Sequence, residues 1–330
     1  MTPTVHLSVH LLDPPDAQAL AHLRSHLESA VQITLGPELP RPARYHILVA
    51  GRPQQEHVSA SPNLCALVIP WAGLPETTRE LMRRFPHISV HNLHYNAVPV
   101  AEMVITLLLA AAKRIVPMDR SLRAHDWTPR YQPVPSLLLE GKTALILGYG
   151  AIGRHVARIC RGLGMKVIAI RRDVAPPLLD TPDQIHPPQA LHRLLPQADA
   201  LLICLPHTPA TTGLIGAAEL ALLPASAVLV NVGRGPIVDE AALYRALRDG
   251  SLHAAGLDVW YNYPSDEAAR SHTPPSTYPF HELDNVVMSP HRAGAIAHKE
   301  RRRMTHLATL LNAAAREKPM PNRVDLEAGY

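Results

Sequence analysis

The sequence predicts an α/β protein with doubly wound parallel sheets, and three observations lead to this fold class. The length, 330 residues, is enough for two domains of about 100–200 residues that each bury a core. The composition, 47% hydrophobic and 18% charged, is typical of a globular chain and excludes a disordered one. Short aliphatic runs also alternate repeatedly with segments of helical spacing, which is the βαβ pattern of parallel sheets.

The alternation forms two series along the chain. In the first, strands are predicted at 5–9, 31–35, 45–50, 64–70 and 88–91, with helices at 16–29 and 75–84. In the second, six strands are predicted at 143–148, 166–170, 200–205, 227–232, 255–258 and 286–289, with helices at 152–163, 188–194, 217–221 and 240–249. The apolar segment 99–116 between the series predicts one long helix that is buried on most sides. The segment 298–317 predicts an amphipathic helix that returns to the N-terminal domain.

Charge and cysteine usage limit the partners. The formal net charge of +4, with 20 histidines in addition, suits small anionic ligands. No nucleic-acid partner is expected, because the basic cluster at 299–303 is interpreted as one solvated helix face. The N-terminus has no basic region followed by a long apolar stretch, and no segment reaches 18 uninterrupted apolar residues, so we expect a cytoplasmic protein without a membrane partner. Cys65, Cys160 and Cys204 stand far apart, so neither a disulfide framework nor a metal site is predicted.

Residues 148–153 read Gly-Tyr-Gly-Ala-Ile-Gly and lie between a predicted strand and a predicted helix. Gly148 allows the tight turn, Gly150 lets the backbone approach a pyrophosphate, and Gly153 allows close packing of the helix on the sheet. Ala151 and Ile152 begin the helix, whose first N–H groups can bind phosphate. The motif therefore predicts a dinucleotide cofactor.

The end of the second strand of this series predicts which dinucleotide binds. An NAD site normally has Asp or Glu there to accept hydrogen bonds from the ribose hydroxyls, whereas this chain has Arg171 and Arg172. A guanidinium pairs with a 2′-phosphate that an acidic side chain would repel. NADP is therefore the predicted cofactor. The alternative is NAD, with the arginines in a solvated loop and Asp173 on the ribose.

Five motifs occur in a fixed order: 148–153, 205–215 (Leu-Pro-His-Thr-Pro-Ala-Thr-Thr-Gly-Leu-Ile), 231–240 (Asn-Val-Gly-Arg-Gly-Pro-Ile-Val-Asp-Glu), 256–259 (Gly-Leu-Asp-Val) and 289–291 (Ser-Pro-His). Together they resemble the D-isomer-specific 2-hydroxyacid dehydrogenase family over roughly residues 45–315. The resemblance implies two Rossmann-like domains with the active site in the interdomain cleft, and a homodimer. Residues 1–98 and 295–330 would form a discontinuous, flavodoxin-like substrate domain. Residues 99–294, including the long interdomain helix, would form the dinucleotide-binding domain.

The resemblance also implies an activity, an NAD(P)-dependent oxidoreductase acting on the CH–OH group of donors. The expected reaction is the reduction of a small 2-oxo acid of the glyoxylate, hydroxypyruvate or pyruvate type by NADPH. One alternative is a dehydrogenase of another small anion, such as formate or phosphite. The other is a cofactor-sensing regulatory protein on the same fold.

Reduction of a 2-oxo acid needs a cation for the carboxylate, a donor at the carbonyl oxygen and an acid that protonates it. Arg234 matches the family's substrate-orienting arginine, and His291 matches its proton-donating histidine. The resemblance further implies substrate-binding roles for Trp71, Ala72, Gly73 and Asn96, although Asn96 could instead cap a helix. It implies cofactor-binding roles for Pro206, Thr212, Val232 and Asp258, with Asp258 on the nicotinamide side.

The chain departs from the family at Tyr263. A glutamate that pairs with the catalytic histidine normally occupies this place, and the formate-oxidising branch carries glutamine there. A carboxylate beside His291 would raise its pKa more strongly than a phenol can. Three explanations remain open: His291 works at a lower pKa, Asp266 or Glu267 takes the glutamate's part, or the chemistry differs. We include Tyr263 in the predicted catalytic set.

Overall fold

A computed structural model describes residues 6–133, 136–172 and 182–330. The chain divides into two compact units, Met1–Asn96 with Ala295–Tyr330 as unit 1 and Ala97–Gly294 as unit 2. Each unit contains one parallel sheet with helices, so the predicted α/β class is confirmed. Within the described residues, no helix combines the length and apolar character that a membrane crossing requires.

Unit 1 has a five-stranded sheet in the order β2-β1-β3-β4-β5, which is the flavodoxin-like order. Its strands are β1 (Leu7–Leu11), β2 (Val31–Leu35), β3 (Ile47–Val49), β4 (Ala66–Ile69) and β5 (Ser89–Asn92). Its first helices are α1 (Ala17–His26), α2 (Gln55–Ser59) and α3 (Glu76–Arg83). Every residue of β3 and β4 is buried, because helices cover both faces of such a sheet. The sequence did not predict α2, since five residues are too short for a helical period to be recognised.

Unit 2 has a seven-stranded sheet in the order β12-β11-β10-β9-β6-β7-β8. Its helices are α4 (Ala97–Ala112), α5 (Ile115–Arg123), α6 (Ala151–Gly162), α7 (Leu191–Leu194), α8 (Ala217–Leu222) and α9 (Glu240–Arg248). Its strands are β6 (Thr143–Leu147), β7 (Lys166–Ile170), β8 (Gln184–His186), β9 (Ala200–Ile203), β10 (Val228–Asn231), β11 (Ala254–Leu257) and β12 (Val286–Met288). Successive strands are added in one direction from β6 to β8 and in the other direction from β9 to β12. The boundary between β6 and β9 is thus the switch point, which is where doubly wound sheets bind ligands.

The sequence predicts six strands in this sheet, and the seventh, β8, corrects that count. Strand β8 pairs with β7 at the sheet edge, with Ile170 beside His186. It contains one aliphatic residue, Ile185, and none of its residues is fully buried, so it lacks the apolar run that marks the other strands.

The predicted single helix at 99–116 is also corrected. Helix α4 ends at Ala112 and α5 begins at Ile115, because Arg114 takes a left-handed backbone conformation with φ 56°. Ten of the 16 residues of α4 are buried, in agreement with the predicted burial. A Cβ atom on Gly256 of β11 would lie 2.7 Å from Leu107 Cβ, so this glycine allows α4 to lie directly on the sheet.

The last helix, α10 (Lys299–Ala315), belongs to unit 1 and packs on α1. Asn312 Nδ2 donates to the His26 carbonyl at 2.8 Å, and Asn312 Oδ1 accepts from the Glu28 N–H at 3.0 Å. The interpretation of 299–303 as a solvated face is wrong for two residues. Arg302 is half-buried and donates to the Tyr95 carbonyl at 2.7 Å, and Arg303 is half-buried and pairs with Glu300.

Candidate active site

The glycine turn joins β6 to α6, and three glycines shape it. Gly148 has φ 96°, a conformation that favours glycine, and a Cβ atom there would lie 2.9 Å from the Cys204 carbonyl oxygen at the end of β9. A Cβ atom on Gly153 would lie 2.1 Å from the Gly148 carbonyl oxygen. The first turn of α6 is therefore pressed against the strand that precedes it.

Gly150 differs from the other two glycines because it faces open space. It is exposed at the N-cap of α6, and a Cβ atom there would have no neighbour within 4 Å. Ala151 and Ile152 follow in the first turn, whose N–H groups have no acceptor within the helix and lie at the positive end of the helix dipole. This open turn beside the switch point fits the pyrophosphate of a dinucleotide.

The two arginines lie directly after β7. Arg171 is half-buried and its backbone N–H donates to the His186 carbonyl at 3.0 Å, while Arg172 is exposed. The alternative ribose ligand, Asp173, lies outside the described residues. Asp183 is the next acid along the chain that the structure describes, and it accepts from the Val167 N–H near the other end of β7, at 2.6 Å.

The residues predicted to face the cofactor after β9 and β10 lie at the carboxyl edge of the same sheet. The Pro206 carbonyl accepts from the Thr211 hydroxyl at 2.8 Å, and the exposed Thr212 hydroxyl donates to the Thr208 carbonyl at 3.0 Å. Val232 is buried directly after β10. Neighbouring strand ends thus place these loops next to the glycine turn.

Arg234 is exposed on the loop after β10, and the backbone around it is tightly fixed. The buried Asn231 accepts from the Gly233 N–H at 3.0 Å and donates to the Arg234 carbonyl at 2.9 Å. A Cβ atom on Gly235 would lie 2.2 Å from the Trp260 carbonyl oxygen. Asn231 and the glycines belong to the 231–240 motif, but the sequence did not reveal that they hold the arginine loop.

His291 lies in the turn after β12, and its backbone φ is 57°. Asp258, at the end of β11, contacts this turn: its carboxylate accepts from the Ser289 hydroxyl at 2.6 Å, the Arg292 N–H at 2.9 Å and the Ala293 N–H at 3.0 Å. The indole N–H of Trp260 donates to the Ser289 carbonyl at 2.8 Å. Sequence reasoning missed Trp260 and Ser289, although Ser289 stands inside a quoted motif and Trp260 is one of three tryptophans.

The electrostatic environment of His291 favours the neutral ring. His291 is solvent-accessible, but the protein packed beneath the ring removes water and lowers its pKa below the ordinary value. The Arg234 guanidinium lowers the pKa further, and the Asp258 carboxylate acts in the opposite direction. Arg234 is therefore close enough to His291 to favour the neutral imidazole.

Tyr263 lies beside His291, as the two ring centroids are 5.6 Å apart at an interplanar angle of 57°. Its hydroxyl accepts from the Trp260 backbone N–H at 3.1 Å. The two candidate substitutes for a glutamate bind within their own turn. Asp266 accepts from the Ala269 N–H at 2.9 Å, and Glu267 pairs with Arg270 at 2.6 Å.

Unit 1 carries the other predicted substrate residues. The Trp71 ring packs on Gly51, where a Cβ atom would lie 1.8 Å from the ring, and the guanidinium carbon of Arg52 lies 5.6 Å from the ring centroid. No sequence motif marks this cation–π contact. The half-buried Ala72 accepts from Asn92 Nδ2 at 2.7 Å through its carbonyl. Gly73 is exposed beside it, and Asn96 is half-buried in the turn before α4.

The reversal of the sheet order at an open glycine turn defines a dinucleotide-binding protein of the doubly wound class. Comparison with known proteins identifies the group within this class. The family model for the D-isomer specific 2-hydroxyacid dehydrogenase NAD binding domain matches residues 105–293. The chain belongs to this family, which confirms the resemblance seen in the five motifs.

Three relatives illustrate the similarity. A glyoxylate reductase of Aeropyrum pernix is 38% identical over 232 residues, 69% of this chain and 66% of the relative. A glycerate dehydrogenase of Methylorubrum extorquens is 36% identical over 214 residues, 63% of this chain and 62% of the relative. These matches thus span slightly less than two thirds of both relatives. A crystal structure of a D-isomer specific 2-hydroxyacid dehydrogenase from Xanthobacter autotrophicus Py2, in complex with NADPH and MES, has a TM-score of 0.77 at 25% identity and covers 99% of this chain and 100% of that one.

Proposed function

We propose that this protein reduces a small 2-oxo acid of the glyoxylate, hydroxypyruvate or pyruvate type to the 2-hydroxy acid with NADPH. The observation that carries the proposal is the proximity of Arg234 to His291. They follow strands β10 and β12, which flank β11 at one sheet edge, and the charge of Arg234 lowers the pKa of His291. A substrate with a carboxylate beside a carbonyl group needs such a pair, one cation and one acid.

The residues divide the chemistry between them. When bound, the reduced nicotinamide supplies the hydride that adds to the carbonyl carbon. The Arg234 guanidinium binds the substrate carboxylate and stabilises the negative charge that develops on the carbonyl oxygen. Protonated His291 donates its proton to that oxygen, which completes the hydroxyl group. In the reverse direction neutral His291 accepts the proton.

Three further assignments accompany this proposal. Arg171 and Arg172 favour NADPH over NADH, and the Xanthobacter relative was crystallised with NADPH. Residues 148–153, Pro206, Thr212 and Val232 would line the cofactor. Unit 1 would be the substrate domain, with the loop of Trp71, Ala72 and Gly73 and the side chain of Asn96 contacting substrate.

A second candidate rests on Tyr263. Because the position beside His291 carries no carboxylate, oxidation of another small anion, such as formate or phosphite, is the alternative activity. A purely regulatory, cofactor-sensing role is disfavoured by the proximity of Arg234 to His291, since such a role needs no proton donor.

Activity assays separate these functions. We expect NADPH oxidation with glyoxylate, hydroxypyruvate or pyruvate, and slower oxidation of NADH. Arg234→Ala should raise KM and lower kcat, whereas His291→Ala should mainly lower kcat, by about 10²–10⁴-fold. Turnover of formate or phosphite with NADP⁺ and none with the 2-oxo acids would favour the second candidate. Cofactor binding without turnover of any of these compounds would favour the regulatory role.

We further propose that two copies form a homodimer through the segment around α5. Six large apolar side chains are exposed between positions 115 and 138 on described residues: Ile115, Val116, Leu122, Trp127, Tyr131 and Leu138. Such a concentration is typical of an interaction surface. Sedimentation should show a dimer that Leu122→Asp converts to monomer, and a monomeric wild-type protein would contradict the proposal.

A cytoplasmic location is likewise proposed. The three cysteines are free. Burial raises the pKa of the Cys160 and Cys204 thiols to about 12. Unpaired thiols of this kind are typical of a reducing compartment. Cell fractionation tests the location.

A further inference from the structure

We propose that the first half of α10 carries a second ligand-binding site, which takes a small molecule bearing phosphate groups. The site is a cavity of about 420 Å³ within unit 1. Five polar side chains line it: His298, Arg301, Arg302, Thr305 and His306. None of them belongs to the predicted catalytic, substrate-binding or cofactor-binding set, so the site goes beyond the proposed function and does not depend on it.

The positive charge of this cavity is not balanced by acidic side chains. Of the described residues that line it, two are arginines, two are histidines and none is acidic. The neighbouring Arg303 differs, because it is paired with Glu300. In the described part of the chain, neither Arg301 nor Arg302 forms an ion pair with a carboxylate. A bound anion would supply the charge that the chain itself does not.

The histidines on one side of the cavity show the effect of this excess charge. Burial lowers the pKa of His306, and the Arg302 guanidinium lowers it further. Burial also lowers the pKa of His94, a half-buried residue after β5, and the nearby His306 adds to that effect. Each histidine thus loses its proton more readily because a second basic group is close. A bound anion would replace this repulsion by attraction.

The same pattern occurs where α10 faces α1. The Thr305 hydroxyl forms a hydrogen bond with Nε2 of His22 at 2.8 Å. Desolvation lowers the pKa of His22, and the positive charges of His26 and Arg301 lower it further. Basic groups therefore approach the first half of α10 both from α1 and from the segment after β5.

Arg302 is already held in place for a ligand. It is half-buried, and its Nε donates to the Tyr95 carbonyl at 2.7 Å. Its two terminal nitrogens form no hydrogen bond with a residue that the structure describes, so they remain available to an anion. A guanidinium that is already fixed loses little conformational freedom on binding. Arg301 is exposed beside it and supplies the second permanent charge.

Charge and size together select the class of ligand. The cavity volume lies in the range of about 300–1,000 Å³ that small-molecule sites occupy. A phosphate group presents several acceptor oxygens and more than one negative charge, and guanidinium groups bind it well. A monocarboxylate would leave one of the two arginines without a partner. A small phosphorylated molecule therefore fits the cavity better than the 2-oxo acid substrate does.

Calorimetry with inorganic pyrophosphate is the primary test, and the protein is first saturated with NADP⁺ because the glycine turn of unit 2 is the other proposed phosphate site. We expect a Kd below about 1 mM that rises by about tenfold or more in Arg301→Gln. Arg248→Gln is the matched control, since it removes the same charge from an exposed arginine of α9 and should leave the Kd unchanged. An unchanged Kd in Arg301→Gln, or equal losses in both variants, would overturn the proposal.

NMR of the His306 imidazole C2–H signal, identified by its loss in His306→Gln, locates the ligand. Pyrophosphate should raise the pKa of His306 by about 0.5–1 unit, because its negative charge favours the protonated ring. His272, an exposed histidine of unit 2, is the control and should titrate as before. A His306 titration that saturating pyrophosphate does not move would place the ligand elsewhere and overturn the proposal.

Sulfate and citrate, compared at equal ionic strength, test the chemistry of the ligand. Pyrophosphate should bind about tenfold or more tightly than sulfate, because it offers the arginines additional charged acceptors. Tighter binding of citrate than of pyrophosphate would make carboxylates the recognised groups and refute the assignment of a phosphate ligand. Equal affinity for all three anions would show that they merely gather at a positive surface, and the site would then not exist.

Discussion

Replacing Tyr263 by glutamate tests how this site works without an acidic neighbour. The ring centroids of Tyr263 and His291 are 5.6 Å apart, so a carboxylate at 263 would lie about 5 Å from the imidazole. A unit charge at that distance is worth about 0.8 kcal/mol in water and about 3 kcal/mol at an effective dielectric constant near 20. Because Tyr263 is 47% exposed, solvent screening favours the lower end, and we expect the pKa of His291 to rise by about 0.5–1.5 units.

The sign of the effect on activity follows from the role of His291 as the acid. Reduction requires the protonated ring, and burial lowers the pKa of His291 below the ordinary value. The rate of wild-type reduction should therefore decline as the pH rises through the mildly acidic range. Tyr263→Glu should keep the ring protonated to higher pH and move the kcat/KM profile for reduction upward. Oxidation requires the neutral ring, so its profile should move upward as well.

The assay is the pH dependence of kcat/KM with NADPH and the best 2-oxo acid. Tyr263→Phe is the matched control: it loses the acceptor for the Trp260 N–H but adds no charge, so its midpoint should equal that of the wild type. Asp266→Asn and Glu267→Gln should also leave the midpoint unchanged, because both carboxylates bind within their own turn. The reasoning would be refuted if the pH profile were unchanged in Tyr263→Glu but shifted in Asp266→Asn or Glu267→Gln.

Three further predictions concern the cofactor, the glycine turn and unit 1. Arg171→Ala should weaken NADPH binding by about tenfold or more, since a charged hydrogen bond contributes about 1.5–3 kcal/mol; equal losses for NADPH and NADH in a fluorescence titration would show that the arginine is structural. Gly153→Ala should lower the free energy of unfolding, measured by urea denaturation, by about 1–3 kcal/mol, because the new Cβ would lie 2.1 Å from a carbonyl oxygen. Gly150→Ala, whose Cβ would have no neighbour within 4 Å, should unfold like the wild type. His10 is fully buried and burial lowers its pKa, so its contribution to stability is complete above its unfolded pKa of about 6.5 and is lost as the pH falls below that value. The melting temperature of His10→Phe should therefore depend less on pH between about 7 and 5 than that of the wild type, and an unchanged dependence would exclude His10 as the cause.

The sequence predicted the strands of unit 2 closely because buried parallel strands are continuous aliphatic runs. Strand β7, Lys166–Ile170, has the predicted bounds. The sequence could not predict β8, where one isoleucine stands at a partly exposed edge, or the break between α4 and α5, since nothing in the apolar pattern marks Arg114 for a left-handed conformation.

The candidate site was predictable to the extent that motifs mark single residues. The glycines, Arg234 and His291 could be selected because each stands at a strand end within a motif. The supporting contacts could not, because the Trp260–Ser289 hydrogen bond joins two loops across 29 positions of sequence. Tyr263 was recognised as unusual, but only the structure shows that the Asp258 carboxylate accepts hydrogen bonds from the turn that carries His291.

The return of α10 to unit 1 determines the order in which the chain can fold. Asn312 of α10 forms hydrogen bonds with residues next to α1 that are more than 280 positions away in the sequence. The same two helices share a buried apolar cluster that contains Leu23 of α1 and Met304, Leu307 and Leu311 of α10. During synthesis, unit 2 is a continuous segment and emerges complete while the first sheet still lacks this cover. Contacts of such separation form late, after the entropy of closing a long loop has been overcome. A nascent chain therefore leaves the apolar surface that α10 covers exposed for as long as unit 2 takes to be made, and in this interval it should depend most on chaperones.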